Sequence, residues 1–163
     1  MTTDVMPRND AAPGKRALAI LSGGFAAGLF DIIFASVLSG ARPDRVFKYI
    51  AAGWVGLPAA RAGGFEMVVL GAASHFGLAI TFAAFFVLMS RALPVLRRQW
   101  VIFGLLYGAS LHVFMNTVVV PLSALHRDPF AGTLENYLIN MAGQSVLFGL
   151  PIAYAAKRFV GSN

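Results

Sequence analysis

Residues 65–90 read FEMVVLGAASHFGLAITFAAFFVLMS, with one carboxylate at the start and one imidazole near the middle. Crossing ~30 Å of hydrocarbon as a helix takes about 20 predominantly apolar residues. A backbone in lipid must satisfy its own hydrogen bonds, so an isolated strand is excluded. The stretch predicts a transmembrane helix, Phe65–Ser90. Working outward, three further stretches have the same character: Ala17–Leu38, Gln99–Leu122 and Glu135–Ala156. The predicted fold is all-α, an integral membrane four-helix bundle over residues 17–158, preceded by a disordered cytoplasmic tail over 1–16.

Composition agrees. The chain has 163 residues, 58% hydrophobic and only 12% charged, against about 25% charged in a soluble domain. One domain of this size cannot hide so much apolar surface from water. The formal charge of +6 would suggest nucleic acid in a soluble protein. Here the cations cluster in the short connections between apolar runs, which marks membrane topology instead, so no nucleic-acid partner is expected. The absence of cysteine excludes disulfides and thiolate metal sites. Lys15-Arg16 followed by an apolar run resembles the opening of a signal peptide. The run is as long as a full span and lacks a small-residue cleavage site, so it reads as an uncleaved first helix.

Basic residues set the orientation. With the N-terminus inside, eight are cytoplasmic (Arg8, Lys15, Arg16, Arg91, Arg97, Arg98, Lys157, Arg158) and five are outside (Arg42, Arg45, Lys48, Arg61, Arg127). The positive-inside rule therefore predicts cytoplasmic N- and C-termini. The first outer connection contains ARPDRVFKYIAAGWVGLPAARAGG. Pro43 and Asp44 suit a helix start, and Val46, Phe47, Ile50 and Trp54 recur at helical spacing. The apolar part is too short to span. An interfacial helix over Asp44–Ala52, with Trp54 at headgroup level, is the expectation; a re-entrant helix is the alternative. Pro121 stands at the exit of the third span, and Pro151 should kink the fourth.

Polar side chains inside the spans are costly and face the protein interior. His75 and His112 each lie ten residues from the outer ends of their helices, about 15 Å at 1.5 Å per residue. Asp31, Asn116 and Asn140 are shallower, and Gln144 lies between. Glu66 and Glu135 mark the outer rim, where a carboxylate suits a helix N-terminus. Gly104, Gly108, His112 and Asn116 share one helical stripe, as do Asn136, Asn140 and Gln144; Gly24, Gly28 and Asp31 share a face, and so do Gly71 and His75. Together they predict an outward-facing polar pocket lined by Asp31, His75, His112, Asn116, Asn140 and Gln144, roofed by the first loop. The sharpest form of that expectation is that Asp31, His75 and Asn116 converge. Each residue also has a plainer role: a neutralised or paired Asp31, hydrogen-bonded core histidines, and amides acting as interhelical glue.

The ordered motifs Gly24-x-x-x-Gly28, Asp31-Ile32, RVFKYIAAGWVG, Gly63-Gly64, Leu70-Gly71 with His75, FGLLYG, Met115-Asn116 and VVVPLSA resemble a bacterial family of four-helix inner-membrane proteins, loosely of the YagU type. The likeness covers nearly all of Lys15 to Arg158. It implies the bacterial cytoplasmic membrane and four helices, and no established activity. Asp31, Arg45, Gly53, His75, Asn116 and Pro121 match its motifs, and His112 does not.

The favoured function is a bundle whose pocket binds or passes a small solute or protons, or an accessory subunit of a membrane complex. The ligand is unknown, the bilayer is the main partner, and dimerisation through the glycine faces is expected of a transporter. No cofactor or metal is required by that reading. The alternative is a haem protein, with His75 and His112 as axial ligands. The sequence lacks H-E-x-x-H, G-x-S-x-G and a phosphate loop, so an enzyme is not expected.

Overall fold

A computed structural model of the chain describes residues 13–128 and 132–160; most of the expected tail, residues 1–12, lies outside the described residues. Four helices are long and apolar enough to cross a membrane: α1 (Pro13–Ser39), α4 (Phe65–Ala92), α6 (Trp100–Leu122) and α7 (Leu134–Val160). Between them come α2 (Pro43–Val55), α3 (Leu57–Ala62) and α5 (Val95–Arg98). No strand occurs among the described residues. The expected spans are all present. The first is already helical at Pro13, ahead of the expected Ala17; proline is tolerated in the first turn of a helix, where its missing N–H has no partner to lose.

The distribution of side-chain sizes is inverted relative to a soluble protein. Ala19, Ala27, Ala83, Ala153 and Ala156 are fully buried, while Leu21, Phe25, Ile33, Phe85, Leu106 and Val146 point outward. Small residues inside let helix backbones approach, and large apolar ones outside meet lipid. This pattern identifies the chain as an integral membrane bundle.

Glycine decides which helices touch. A Cβ on Gly24 would stand 2.8 Å from the Ile80 Cα, and one on Gly28 would stand 2.9 Å from the Phe76 ring, so α1 closes on α4. Gly23 faces Ala155 and Ile152, joining α1 to α7. The tightest seam joins α6 to α7: Gly149 lies on the Gly104 carbonyl, and Gly108 lies against Gln144 and Ser145. Between α4 and α6, Tyr107 donates its hydroxyl proton to the Phe82 carbonyl at 2.8 Å, and its ring stands 5.0 Å from that of Phe86. These glycine faces are covered inside one chain.

Both prolines of the later spans follow a widened turn. Met115–Val119 and Gln144–Gly149 are π-helical, and each ends two residues before a proline, Pro121 or Pro151. An α-helix would press the proline ring onto the carbonyl four residues earlier; a π-turn relieves that contact and commonly marks functional positions.

We call the end carrying the α1–α4 and α6–α7 connections the loop end, and the opposite one the terminal end. At the terminal end Arg97 donates to the Val160 carbonyl at 2.5 Å, which satisfies an orphan carbonyl of α7. Burial and then neighbouring Arg98 hold the Arg97 guanidinium below its ordinary pKa; it remains charged. Lys157 lies over the Trp100 ring at 5.2 Å.

At the loop end α2 forms where its sequence signals place it, with Pro43 in its first turn. It packs closely on α4. The Phe47 backbone rests on Gly71, and the Phe47 ring meets those of His75 and Phe76 at 6.3 and 6.5 Å. Gly71 and Phe76 stand six and eleven residues into α4, about 9 and 16 Å along it. The missing side chain at Gly71 opens that berth. The chain then breaks at Gly56, φ +80°, and returns through α3 to the start of α4, the shape of a re-entrant hairpin covered by protein on one side.

Candidate functional site: the loop-end cavity

The structure divides the six sequence-predicted residues into three settings. In the first, between α1 and α4, the His75 Nε2–H donates to the Gly28 carbonyl at 2.9 Å. A carbonyl only accepts, so that bond places a proton on Nε2. The Asp31 carboxyl interacts electrostatically with the same imidazole. Glycine at 28 makes the bond possible, since a side chain there would collide with Phe76.

In the second, between α6 and α7, buried His112 donates through Nδ1 to Gln144 Oε1 at 3.0 Å. Its ring also packs edge-on against Tyr137, with centroids 4.7 Å apart. Asn116 donates to the His112 carbonyl at 2.9 Å, a bond within its own helix. Asn116 is therefore bonded to the α6 histidine one turn away, and the hydrogen bonds do not join it to Asp31 and His75. Of the amides expected to act as interhelical glue, Gln144 alone among the described residues bonds across helices. Asn140 folds back onto the Asn136 carbonyl at 2.7 Å.

In the haem alternative both imidazoles would be axial ligands; here His75 Nε2 is bonded to the Gly28 carbonyl of α1, and His112 Nδ1 to Gln144 of α7, which leaves His112 Nε2 as its ligating nitrogen. Among the described residues no cluster of three or more His, Asp or Glu could hold a metal ion.

Asn140 belongs to the third setting, a cavity of about 960 Å³ at the loop end. Its walls come from α1 (Ala35, Leu38, Ser39), α2 (Asp44, Arg45, Lys48, Tyr49), α3 (Leu57, Arg61), Arg127 of the α6–α7 connection, and Asn136 and Asn140 of α7. The first loop walls it, and of the six residues expected in the pocket Asn140 alone is among its lining. Asp31 lies one turn below Ala35, and Gln144 one turn below Asn140, so the deeper polar groups continue the same helix faces inward. Phe34 presses its ring onto Gly143 at that level, between α1 and α7.

Sequence reasoning missed the cations of this cavity. In the sequence Arg45, Lys48, Arg61 and Arg127 stand on the outer side, against the positive-inside bias, and nothing local assigns them to a site. A second crevice of about 610 Å³ near the terminal end has mainly apolar walls, with Trp100, Tyr154 and Arg158 among its residues.

No known protein family matches this chain, and neither does any curated protein or solved structure. The functional reading therefore rests on the geometry and the sequence.

Proposed function

We propose that this is a multi-pass protein of a bacterial cytoplasmic membrane, with cytoplasmic termini, whose loop-end cavity faces outward and binds a small solute. One observation carries the reading: a cavity of about 960 Å³ gathers Asp44, Arg45, Lys48, Tyr49, Arg61, Arg127, Asn136 and Asn140 in a chain that is otherwise mostly apolar. Concave sites with a few convergent polar groups are the usual form of ligand sites. The eight-to-five distribution of basic residues supports the orientation, and the resemblance to the YagU type supports the location. The arrangement suits binding rather than catalysis, because the polar groups are mainly cations and amides without a nucleophile–base pair among them.

Asp31 and His75 favour a second reading, in which the cavity passes protons inward. They interact with each other, and Asp31 sits on the face of α1 that leads down from the cavity. An ionisable pair inside a span marks such pathways in other membrane proteins.

The chain lacks cysteine, so a single introduced thiol reports its own surroundings. In Asn140→Cys, a membrane-impermeant thiol reagent added to the outside of intact cells should label the protein. A thiol that reacts only after the membrane is opened would reverse the orientation, and one that never reacts would remove the water-filled cavity.

A further inference from the structure

The charges at the loop end are sorted. Five cations lie there (Arg42, Arg45, Lys48, Arg61, Arg127) alongside four carboxylates, Asp44, Glu66, Asp128 and Glu135. Four of the five cations line the cavity, and one of the four carboxylates does. That carboxylate, Asp44, is bonded to Arg42 at 3.3 Å. Glu66 stays off the lining and accepts the Gly64 N–H at 2.6 Å, although its charge reaches Lys48.

The backbone holds the cations toward one space. Arg45 is on α2 and Arg61 on α3, and the break at Gly56 folds the two helices so that both side chains reach the cavity. Neither guanidinium has a hydrogen bond or an ion pair among the described residues. Lys48 is anchored through one proton to the Gly63 carbonyl at 2.6 Å, which leaves two ammonium donors. Arg127 reaches the Tyr49 hydroxyl at 3.5 Å. Beside them the walls are apolar: Ala35, Leu38, Val46 and Leu57.

We propose that the cavity takes a phosphate-bearing amphiphile, with the Arg45 and Arg61 guanidinium forks on the phosphate and the aliphatic wall against the attached chain. This rests on the cavity reading above and names its ligand class. A guanidinium presents paired donors that match phosphate oxygens. A volume of about 960 Å³ exceeds a bare ion and accommodates a headgroup with part of its chain. The selection against cations on the outer side makes their convergence here informative. Two sources share this chemistry, a bilayer phospholipid and a soluble organic phosphate.

Native mass spectrometry of the purified full chain with added phosphatidylglycerol tests the first source. Melting in inorganic phosphate, compared with chloride at equal ionic strength, tests the second. The variants are Arg45→Gln/Arg61→Gln and a control, Lys15→Gln/Arg98→Gln, which removes equal charge at the terminal end. The expected result is one retained phosphatidylglycerol, or a melting temperature raised by phosphate. Either effect should weaken by about tenfold or more in the cavity variant and persist in the control. Arg61→Gln alone serves if the double variant does not fold, and Arg61→Lys should restore charge but only part of the affinity. Lipid retention alone would assign a bilayer source, and the phosphate response alone a soluble one. No effect with either probe, or equal loss in variant and control, would overturn the proposal. Labelling at Asn140→Cys is independent of any anion, so it separates failure of this inference from failure of the cavity itself.

Discussion

Phe47 and Gly71 meet backbone to backbone: any Cβ on Gly71 would overlap the Phe47 carbonyl. This contact fixes α2 against α4, and through α2 it fixes Arg45 and Lys48 in the cavity wall. Gly71→Ala should destabilise the protein by about 1–3 kcal/mol, the range for overpacking, and Gly71→Leu by more. Both should disturb the bond from Trp54 Nε1 to Ser74 Oγ at 2.9 Å. Melting in detergent, followed by Trp54 emission in a Trp100→Phe background, measures the two effects together. An unshifted melting temperature and unchanged emission would show that α2 does not sit there.

Two other glycines separate close packing from helix propensity. A Cβ on Gly149 would collide with the Gly104 carbonyl, whereas one on Gly77 meets nothing within 4 Å. Gly149→Ala should therefore cost about 1–3 kcal/mol by forcing α6 and α7 apart. Gly77→Ala should be neutral or stabilise by up to about 1 kcal/mol. Equal effects at the two sites would contradict the α6–α7 seam.

The four spans were legible because hydropathy and length suffice to find a membrane helix, and the glycine stripes pointed to the packed faces. The grouping of polar residues was not legible. Asp31 and Asn116 have similar depth, but depth says nothing about which helices are neighbours. His75 is bonded into α1 and His112 into α7, and only the packing order reveals that. The cavity cations lay in a connection where charge is ordinary, so nothing local distinguished Arg45 or Arg61. The berth of α2 turned on Gly71, a residue whose relevance appears only with its partner.

Bonding partners also rank the amides. Gln144 accepts from His112 across the α6–α7 seam, so Gln144→Leu should cost about 0.6–2 kcal/mol, as interhelical bonds in membranes do. Asn140 bonds only to its own helix and lines the cavity, so Asn140→Leu should leave the melting temperature nearly unchanged while altering binding. Asp31→Asn belongs with the mild changes. The His75–Gly28 bond does not depend on the carboxylate, and an amide avoids the expense of charge in hydrocarbon. Thermal melts of the three variants check the order, and a loss at Asn140 as large as at Gln144 would refute it.

The depth of α2 gives the most direct test. Trp54 is 70% exposed, so its ring faces the surroundings of the bundle rather than its core. Its indole N–H is nevertheless held by Ser74, nine residues into α4 from Phe65. At 1.5 Å per residue that is about 13 Å along the helix. If the hydrocarbon begins near Glu66, the ring lies well below the headgroups, close to the centre of a ~30 Å core. An interfacial helix would keep the same ring in the aromatic belt at the membrane surface. In a Trp100→Phe chain reconstituted in vesicles, bromine placed deep in the acyl chains should therefore quench Trp54 more strongly than bromine near the headgroup. Ser74→Ala should shift that balance outward by freeing the indole. Stronger quenching from the shallow position in the unsubstituted Ser74 chain would return α2 to the interface, and the cavity would then open beside the headgroups rather than beneath them.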